Sequence, residues 1–277
     1  MRGEQLYGII LMLVLVLTVA GRAGVQAPGK LDLGVKDTRS IVTGEQPAQP
    51  ERPPETHLVR SRFEPGPSDR ELTLVFDVSP TPQAPPVVRR LGATPHDDAE
   101  TLAVRRDPTG RYSAVLANVP PVADGRVLIE LSDPGAGTFE LHGADFALRE
   151  HVADRPSSRP SRDGRFVVFT KPEGISPGAR LLIGSGERPT EDLPPAVTSK
   201  AVLAVYSLDF LPASDSGDGW LLTMAVTATD AKPVLFYLPK GGAVWKVLDS
   251  TALEEHSLLA ARVAGPGTYL LAKEATP

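Results

Sequence analysis

The chain of 277 residues contains no cysteine, and aromatic residues make up only 5% of it. The absence of cysteine excludes disulfides, zinc fingers, iron–sulfur clusters and thiol nucleophiles together. Positive charge is also scarce, because 29 Lys and Arg stand against 34 Asp and Glu and the net charge is −5. Nucleic acids and anionic membranes attract proteins with a clustered basic excess. We therefore expect no nucleic-acid partner.

Proline and glycine are abundant instead. The chain holds 28 Pro and 25 Gly, about a fifth of its residues, against an average of about 12%. This composition favours short strands joined by turns over long helices. The hydrophobic fraction of 41% and a length of about two domains are sufficient to bury a core.

Residues 1–27 have the pattern of a secretory signal peptide. Arg2 precedes the apolar run 6–20, which is shorter than the roughly 20 residues of a membrane span. Small residues follow in 21–23 and 25–27, at the spacing that signal peptidase recognises. We expect cleavage there, with retention as an N-terminal membrane anchor as the alternative. Either outcome places the rest of the chain in the extracytoplasmic space, whether periplasmic, cell-surface or secreted.

Two polar segments divide the remaining chain. Residues 28–56 end in QPAQPERPPE, which favours extended conformations and predicts a semi-rigid spacer. Residues 154–164 (DRPSSRPSRDG) contain two prolines and no apolar position to bury, so they predict a linker. The linker separates two predicted domains, 57–153 and 165–277.

Short runs of Val, Leu, Phe, Tyr and Thr recur in both predicted domains, bounded by Gly, Pro, Asp or Ser, a pattern typical of antiparallel sandwiches. The first domain has predicted strands at 72–76, 87–91, 101–105, 112–119, 127–131, 138–141 and 146–152. The second has predicted strands at 166–170, 180–183, 201–208, 220–227, 234–238, 244–248, 258–263 and 268–272. A short helical turn is expected only around Ser250–Glu255.

These strands predict an all-β protein with two tandem antiparallel β-sandwich domains. Seven strands in the first domain fit an immunoglobulin-like or fibronectin type III-like sandwich. Asp107-Pro108-Thr109-Gly110 predicts a tight hairpin turn, with proline early and glycine late. The pair Gly241-Gly242 also indicates a hairpin turn.

Landmarks in the second half occur in a recognisable order. They are DGRF at 163–166, PEGISPGA at 172–179, Tyr206, Trp245 within GAVWKVL, and GTYLL at 267–271. This order resembles the β-sandwich domain shared by zonula-occludens proteins, netrin receptors and ankyrins, which also occurs in bacterial secreted proteins. The resemblance covers 163–272 and implies a module that supports or displays binding surfaces.

Some relatives in that family cleave their own backbone at a His-Phe-Ser turn, through attack by the serine hydroxyl. The matching stretch here, 263–268 (VAGPGT), contains neither His nor Ser. The resemblance therefore implies no self-cleavage.

The sequence assembles no catalytic constellation. None of the five histidines lies in a metal-ligand pair or beside a candidate nucleophile. Ser185 lacks the flanking glycines of a hydrolase elbow, because Ile183 and Glu187 occupy those places. We predict no catalytic, cofactor-binding or metal-binding residue, and hence a protein that is not an enzyme.

The loop 214–219 (SDSGDG) is the strongest metal candidate. Asp215 and Asp218 could offer oxygen ligands to Ca²⁺, but the distal bidentate Glu of a calcium loop is absent. We interpret the loop as a solvated connection, and His96-Asp97-Asp98 as a polar turn. Trp220 follows the loop and is the one candidate for stacking on a sugar ring, since the resemblance places Trp245 in the core.

The function expected from these residues is an exported, non-catalytic structural or protein-binding module of the cell surface or extracytoplasmic space. A carbohydrate-binding accessory protein is the alternative and requires exposed aromatic residues in a row. A secreted hydrolase is a third possibility and requires a cleft with clustered His, Asp or Glu. The expected partner is a protein or glycan, no cofactor is expected, and the membrane is a partner only if the signal segment is uncleaved.

Overall fold

The computed structural model describes residues 57–92, 98–133, 138–172, 178–185, 193–194, 197–198, 201–211, 219–226, 232–253 and 257–273. The predicted signal segment 1–27 and spacer 28–56 lie outside the described residues. In the described ranges there is no α-helix, and every paired strand is antiparallel. The all-β prediction is confirmed. No helix of the described chain is long and apolar enough to cross a membrane.

Strands account for most of the described residues. In chain order they are β1 (Leu58–Pro65), β2 (Leu72–Ser79), β3 (Val87–Arg90), β4 (Glu100–Leu102), β5 (Val104–Arg106), β6 (Tyr112–Leu116), β7 (Ala123–Asp133), β8 (Thr138–Glu150), β9 (Ser157–Pro160), β10 (Phe166–Thr170), β11 (Arg180–Ser185), β12 (Val202–Leu211), β13 (Leu221–Ala225), β14 (Pro233–Pro239), β15 (Lys246–Val247), β16 (Ser250–Leu253), β17 (Leu258–Arg262) and β18 (Gly267–Lys273).

These strands form three sheets. The long sheet has nine strands in the order β15-β14-β18-β12-β11-β8-β7-β3-β4. A four-stranded sheet has the order β1-β2-β6-β5, and a five-stranded sheet has the order β16-β17-β13-β10-β9. Since β8 and β11 are neighbours in the long sheet, this sheet runs without a break from the first predicted domain into the second.

Neighbouring residues of the central strands enter different hydrophobic cores. The first core contains the buried apolar residues of β2 and β6, and the second core contains those of β10 and β13. In β8, Phe146 belongs to the first core and Ala147 to the second. In β11, Leu182 belongs to the first core and Leu181 to the second. Successive side chains of a strand point to opposite faces of a sheet. The four-stranded sheet therefore packs on one face of the long sheet, and the five-stranded sheet packs on the other.

The predicted turn at Asp107–Gly110 is confirmed and joins β5 to β6. The Gly110 amide donates to the Asp107 carbonyl at 3.0 Å, and Gly110 has a φ of +93°, which glycine adopts without the cost of a Cβ. One carboxylate oxygen of Asp107 accepts hydrogen bonds from Thr109 Oγ1 at 2.6 Å and from two backbone amides. The hydrogen bond from Thr109 is the main reason that the pKa of Asp107 lies below its ordinary value.

Several predicted strands have different bounds in the structure. Predicted strands 138–141 and 146–152 are one strand, β8, because β7 pairs with it continuously from Asp133↔Thr138 to Ala123↔Leu148. Predicted strand 101–105 is two strands, β4 and β5, which belong to different sheets. The chain crosses between layers at this point, and a pattern of apolar residues carries no signal for such a crossing.

Three segments that were not predicted to be strands are strands. β1 was not predicted, since only Val59 and Phe63 of this arginine-bearing segment are buried. Within the predicted linker 154–164, β9 pairs with β10 and its Ser157 hydroxyl lies 2.9 Å from Thr170 Oγ1. The helical turn expected around 250–255 is wrong, because Ser250–Leu253 forms β16 and pairs with β17.

Candidate functional site

The described residues form a cleft of about 400 Å³. It lies beside β1, the edge strand of the four-stranded sheet, and next to β12 and β18 of the long sheet. One wall is residues 62–64 of β1, the floor is 207–209 of β12 with 267–268 of β18, and the other wall is 238–242, where β14 ends in a turn. We call this surface the β1 cleft.

The first wall carries an ion pair. Arg62 donates from Nε and Nη2 to one oxygen, Oε1 of Glu64, each at 2.6 Å. The two residues are two positions apart in β1 and therefore share a face of the strand. The Arg62 side chain is 55% exposed and that of Glu64 is 33% exposed. The guanidinium is thus the more accessible group of the pair.

The opposite wall carries a second ion pair, in which Lys240 Nζ donates to Oδ2 of Asp209. The Asp209 side chain is only 11% exposed, whereas that of Lys240 is 48% exposed. The other carboxylate oxygen of Asp209 accepts the Phe210 amide at 2.9 Å. Both oxygens of the buried carboxylate are therefore used inside the protein, and the ammonium group faces the cleft.

The backbone around Lys240 is fixed by the turn that the glycine pair predicted. The Gly242 amide donates to the Pro239 carbonyl at 2.8 Å, and the Lys240 amide donates to the Pro266 carbonyl at 3.1 Å. Gly241 has a φ of +71°, a conformation that favours glycine. The Gly241-Gly242 turn prediction is confirmed, and the turn holds Lys240 at the rim of the cleft.

The floor depends on two glycines. Gly184 lies opposite Ser207, and a Cβ at position 184 would be 2.5 Å from Ser207 Oγ and 3.6 Å from the Phe63 ring. At Gly267 a Cβ would be 2.2 Å from the Leu238 carbonyl oxygen. Glycine at these positions lets β1 and the turn after β14 approach the long sheet closely.

The described lining of the β1 cleft contains the hydroxyls of Ser207 and Thr268, the carboxylates of Glu64 and Asp209 and the cations of Arg62 and Lys240, but no histidine. Two ion pairs with exposed cations can hold a polar or anionic partner. Sequence analysis missed Arg62, Asp209 and Lys240, and only the glycine turn after β14 signalled this place.

A second polar cluster joins two histidines through one carboxylate. Glu140 accepts a hydrogen bond from the His57 amide at 3.1 Å, and its oxygens lie 3.1 Å from His57 Nδ1 and from His142 Nε2. Partial burial raises the pKa of Glu140, but the hydrogen bonds from His57 and His142 outweigh it and hold the pKa below 4.5. Glu140 thereby fastens His57, the residue before β1, to β8.

Trp220, the candidate for stacking on a sugar ring, is buried. Its ring is therefore not accessible to a sugar. Its side chain is fully enclosed in the second core, with Phe210 edge-on at 5.7 Å and the His151 ring stacked at 5.4 Å. Trp220 Nε1 and both ring nitrogens of His151 are buried without a hydrogen bond in the described chain. Trp245 is partly buried against a third, smaller apolar cluster.

The other predicted positions are placed as follows. Asp215, Asp218 and the histidines at 96 and 256 lie outside the described residues. Within the described ranges, no group of three or more His, Asp or Glu side chains has an arrangement that could hold a metal ion, and this includes the His57–Glu140–His142 cluster. Phe139 is the exposed aromatic side chain of the described chain, at 60%, so no row of aromatic residues is present in these ranges.

The fold defines this chain as an all-β protein of antiparallel sheets. Comparison with protein-family models, with curated proteins and with solved structures gave no match. The proposal for its function therefore depends on the geometry and on the sequence.

Proposed function

We propose that this protein is an exported, non-catalytic module of the extracytoplasmic space that binds another protein by adding a strand of that partner to β1. Residues 1–27 support export, because they combine a basic start, a short apolar run and small residues. The observation that carries the proposal is that β1 is an edge strand whose residues 62–64 open onto a cleft.

An edge strand presents backbone N–H and C=O groups that a second chain can pair with. β1 pairs with β2 along its whole length, from Leu58↔Ser79 to Pro65↔Leu72, and has no second strand beside it in the described chain. The β1 cleft provides room next to this edge, and the polar residues Ser207, Asp209 and Thr268 belong to its floor. Strand addition of this type derives affinity from main-chain hydrogen bonds and specificity from alternate side chains.

A protein partner is favoured over a carbohydrate by the distribution of aromatic side chains. Sugar-binding surfaces stack pyranose rings on exposed aromatic rings, whereas Trp220 is buried and Phe139 stands apart from the cleft lining. A hydrolase is not favoured, because no histidine lines the described cleft. The binding of an extended peptide needs neither feature.

Photo-cross-linking in cultures of the cells that produce the protein tests this function. p-Benzoylphenylalanine is introduced at Arg62 on the edge strand β1 and, as the control, at Val115. Val115 is exposed on β6, which has a strand on each side. We expect position 62, and not position 115, to give one adduct whose partner is identified by mass spectrometry. Addition of that purified partner should then slow amide hydrogen exchange at residues 62–64.

The proposal is overturned if position 62 gives no adduct or gives the same adducts as position 115. It is also overturned if the identified partner leaves amide exchange in β1 unchanged, because strand addition protects the backbone of the edge strand by definition.

A further inference from the structure

A row of four residues crosses the long sheet beneath the β1 cleft. Gly184 of β11 pairs with Ser207 of β12. Ser207 pairs with Thr268 of β18, which in turn pairs with Leu238 of β14. Directly paired residues point to the same face of a sheet. A Cβ at Gly184 would be 3.6 Å from the ring of Phe63, so the whole row is on the face that looks towards β1.

The strand β1 covers only one end of this row. Phe63 is buried and lies above Gly184. Arg62 and Glu64 flank Phe63 in the strand, so their side chains point to the other face of the four-stranded sheet. Beyond Gly184 the row lines the cleft and is only partly buried.

The two hydroxyls in the open part of the row lie side by side. Neither Ser207 Oγ nor Thr268 Oγ1 has a hydrogen-bond partner within the described chain. Solvent can serve both hydroxyls while the cleft is open. A strand added to β1 lies about 4.8 Å farther across the row, over these hydroxyls, and excludes solvent from them. A buried hydroxyl that is left without a partner costs free energy.

Resting on the function proposed above, we infer that the added strand directs a short polar side chain, that of serine, threonine or asparagine, from a position opposite Phe63 to Ser207 and Thr268. Side chains of a strand alternate between its two faces, so the residue beside Phe63 points to the cleft floor. A hydroxyl or an amide both donates and accepts, and one such group can serve both floor hydroxyls. The side chain is short, because the cleft of about 400 Å³ must also hold the backbone of the strand.

The same geometry selects against an apolar strand. A valine or leucine opposite Phe63 excludes solvent from Ser207 and Thr268 and offers them no hydrogen bond. The penalty of two buried, unpaired hydroxyls then falls on the wrong partner only. Main-chain pairing with β1 supplies affinity for any extended segment, and the floor hydroxyls supply the discrimination.

A library of displayed octapeptides, randomised at every position, tests this inference on the full chain. Selected peptides that slow amide hydrogen exchange at residues 62–64 are synthesised. Each Ser, Thr or Asn in them is then replaced singly by an apolar residue of similar size, such as Val for Thr. Binding of every peptide is measured by calorimetry.

Two double variants of the chain identify the contact. Ser207→Ala/Thr268→Val removes both floor hydroxyls and keeps residues of similar size. Thr73→Val/Ser113→Ala is the matched control, because it removes the same two groups from β2 and β6, outside the cleft lining. Thr73 lies opposite Glu64 and therefore points away from the cleft floor.

We expect one apolar replacement in each peptide to weaken binding to the unmodified chain about ten-fold, as the loss of a buried hydrogen bond does. The same replacement should cost nothing in Ser207→Ala/Thr268→Val, because no floor hydroxyl is then left unpaired. In Thr73→Val/Ser113→Ala it should cost as much as in the unmodified chain.

Peptides that protect residues 62–64 but tolerate an apolar residue at every position would overturn this inference and leave strand addition intact. A loss that persists in Ser207→Ala/Thr268→Val would also overturn it, since the floor hydroxyls would not be the groups contacted. Selection of no peptide that protects residues 62–64 counts against it too. The cross-linking experiment decides the proposed function separately, because it makes no assumption about the side chains of the partner.

Discussion

The hydroxyl of Tyr206 in β12 donates a 2.6 Å hydrogen bond to Oδ2 of Asp163, which is 43 residues away in the sequence. The other oxygen of Asp163 accepts Ser161 Oγ at 2.5 Å and the Arg165 amide at 3.1 Å. The Tyr206 ring stacks on Phe166 with centroids 5.0 Å apart. One carboxylate thus closes the turn before β10 and ties it to the long sheet.

Removal of this hydroxyl should lower stability. We expect Tyr206→Phe to reduce the free energy of unfolding by about 1.5–3 kcal/mol, the range for hydrogen bonds to charged groups. Tyr237→Phe is the matched control, because its hydroxyl donates to the neutral Pro266 carbonyl at 2.9 Å, and we expect a loss of about 1 kcal/mol. Urea unfolding measures both. An equal loss for the two variants would contradict the role of Asp163.

Alkaline pH should destabilise the fold, because the buried hydroxyls of Tyr206 and Tyr269 then ionise. Burial raises the pKa of Tyr206, and the hydrogen bond to Asp163 adds to it. Burial also raises the pKa of Tyr269, which donates to the Gly265 carbonyl at 2.6 Å. Since the folded pKa values exceed the ordinary value of 10.0, the stabilisation is complete below about pH 10 and is lost as the pH rises above it. The double variant Tyr206→Phe/Tyr269→Phe should show a flatter stability curve above pH 10.

Acid should weaken the contact between Glu140 and His57. The pKa of Glu140 is lowered in the fold, so its contribution is present above its ordinary pKa of 4.5 and is lost as the pH falls below it. We expect Glu140→Gln to lose about 1 kcal/mol at neutral pH and to reduce the slope of stability against pH below 4.5. Glu100→Gln is the control, as its side chain is 58% exposed. An unchanged slope in Glu140→Gln would contradict this prediction.

Gly267 should tolerate no side chain. A Cβ there would be 2.2 Å from the Leu238 carbonyl oxygen, and this backbone atom cannot move aside without breaking the β14–β18 ladder. We expect Gly267→Ala to cost about 3 kcal/mol or more, as severe overpacking does. Gly164→Ala is the control, because position 164 has a φ of +70° but nothing within 4 Å. Its expected cost is about 1 kcal/mol. Thermal unfolding compares the two variants.

The two tryptophans should respond differently to a quencher in solution. Trp220 is fully buried and Trp245 is partly buried. Acrylamide should therefore quench the fluorescence of Trp220→Phe, in which Trp245 remains, more strongly than that of Trp245→Phe. Trp220→Ala should cost about 3–5 kcal/mol of stability. Equal quenching of both single-tryptophan variants would contradict the burial of Trp220.

Local patterns in the sequence were sufficient for the class of fold and for many strands. The strand 166–170 has the same bounds in the structure, because a short run of aromatic and β-branched residues between polar segments indicates a strand without reference to its partners. The turn at Asp107–Gly110 was also predictable, since its hydrogen bonds lie within five residues. The strand β1 was not predictable from the sequence. It pairs with β2, and its buried residues Val59 and Phe63 pack among residues of both the four-stranded and the long sheet.

The sequence by itself determined the all-β class and the positions of turns, because alternation and turn residues act over a few neighbouring residues. It also excluded cysteine chemistry. Only the tertiary structure decided that Arg62 and Lys240, 178 positions apart, line one cleft, and that Trp220 is enclosed. Contacts between distant strands depend on sheet order and on the layer to which each strand belongs, and a local pattern specifies neither.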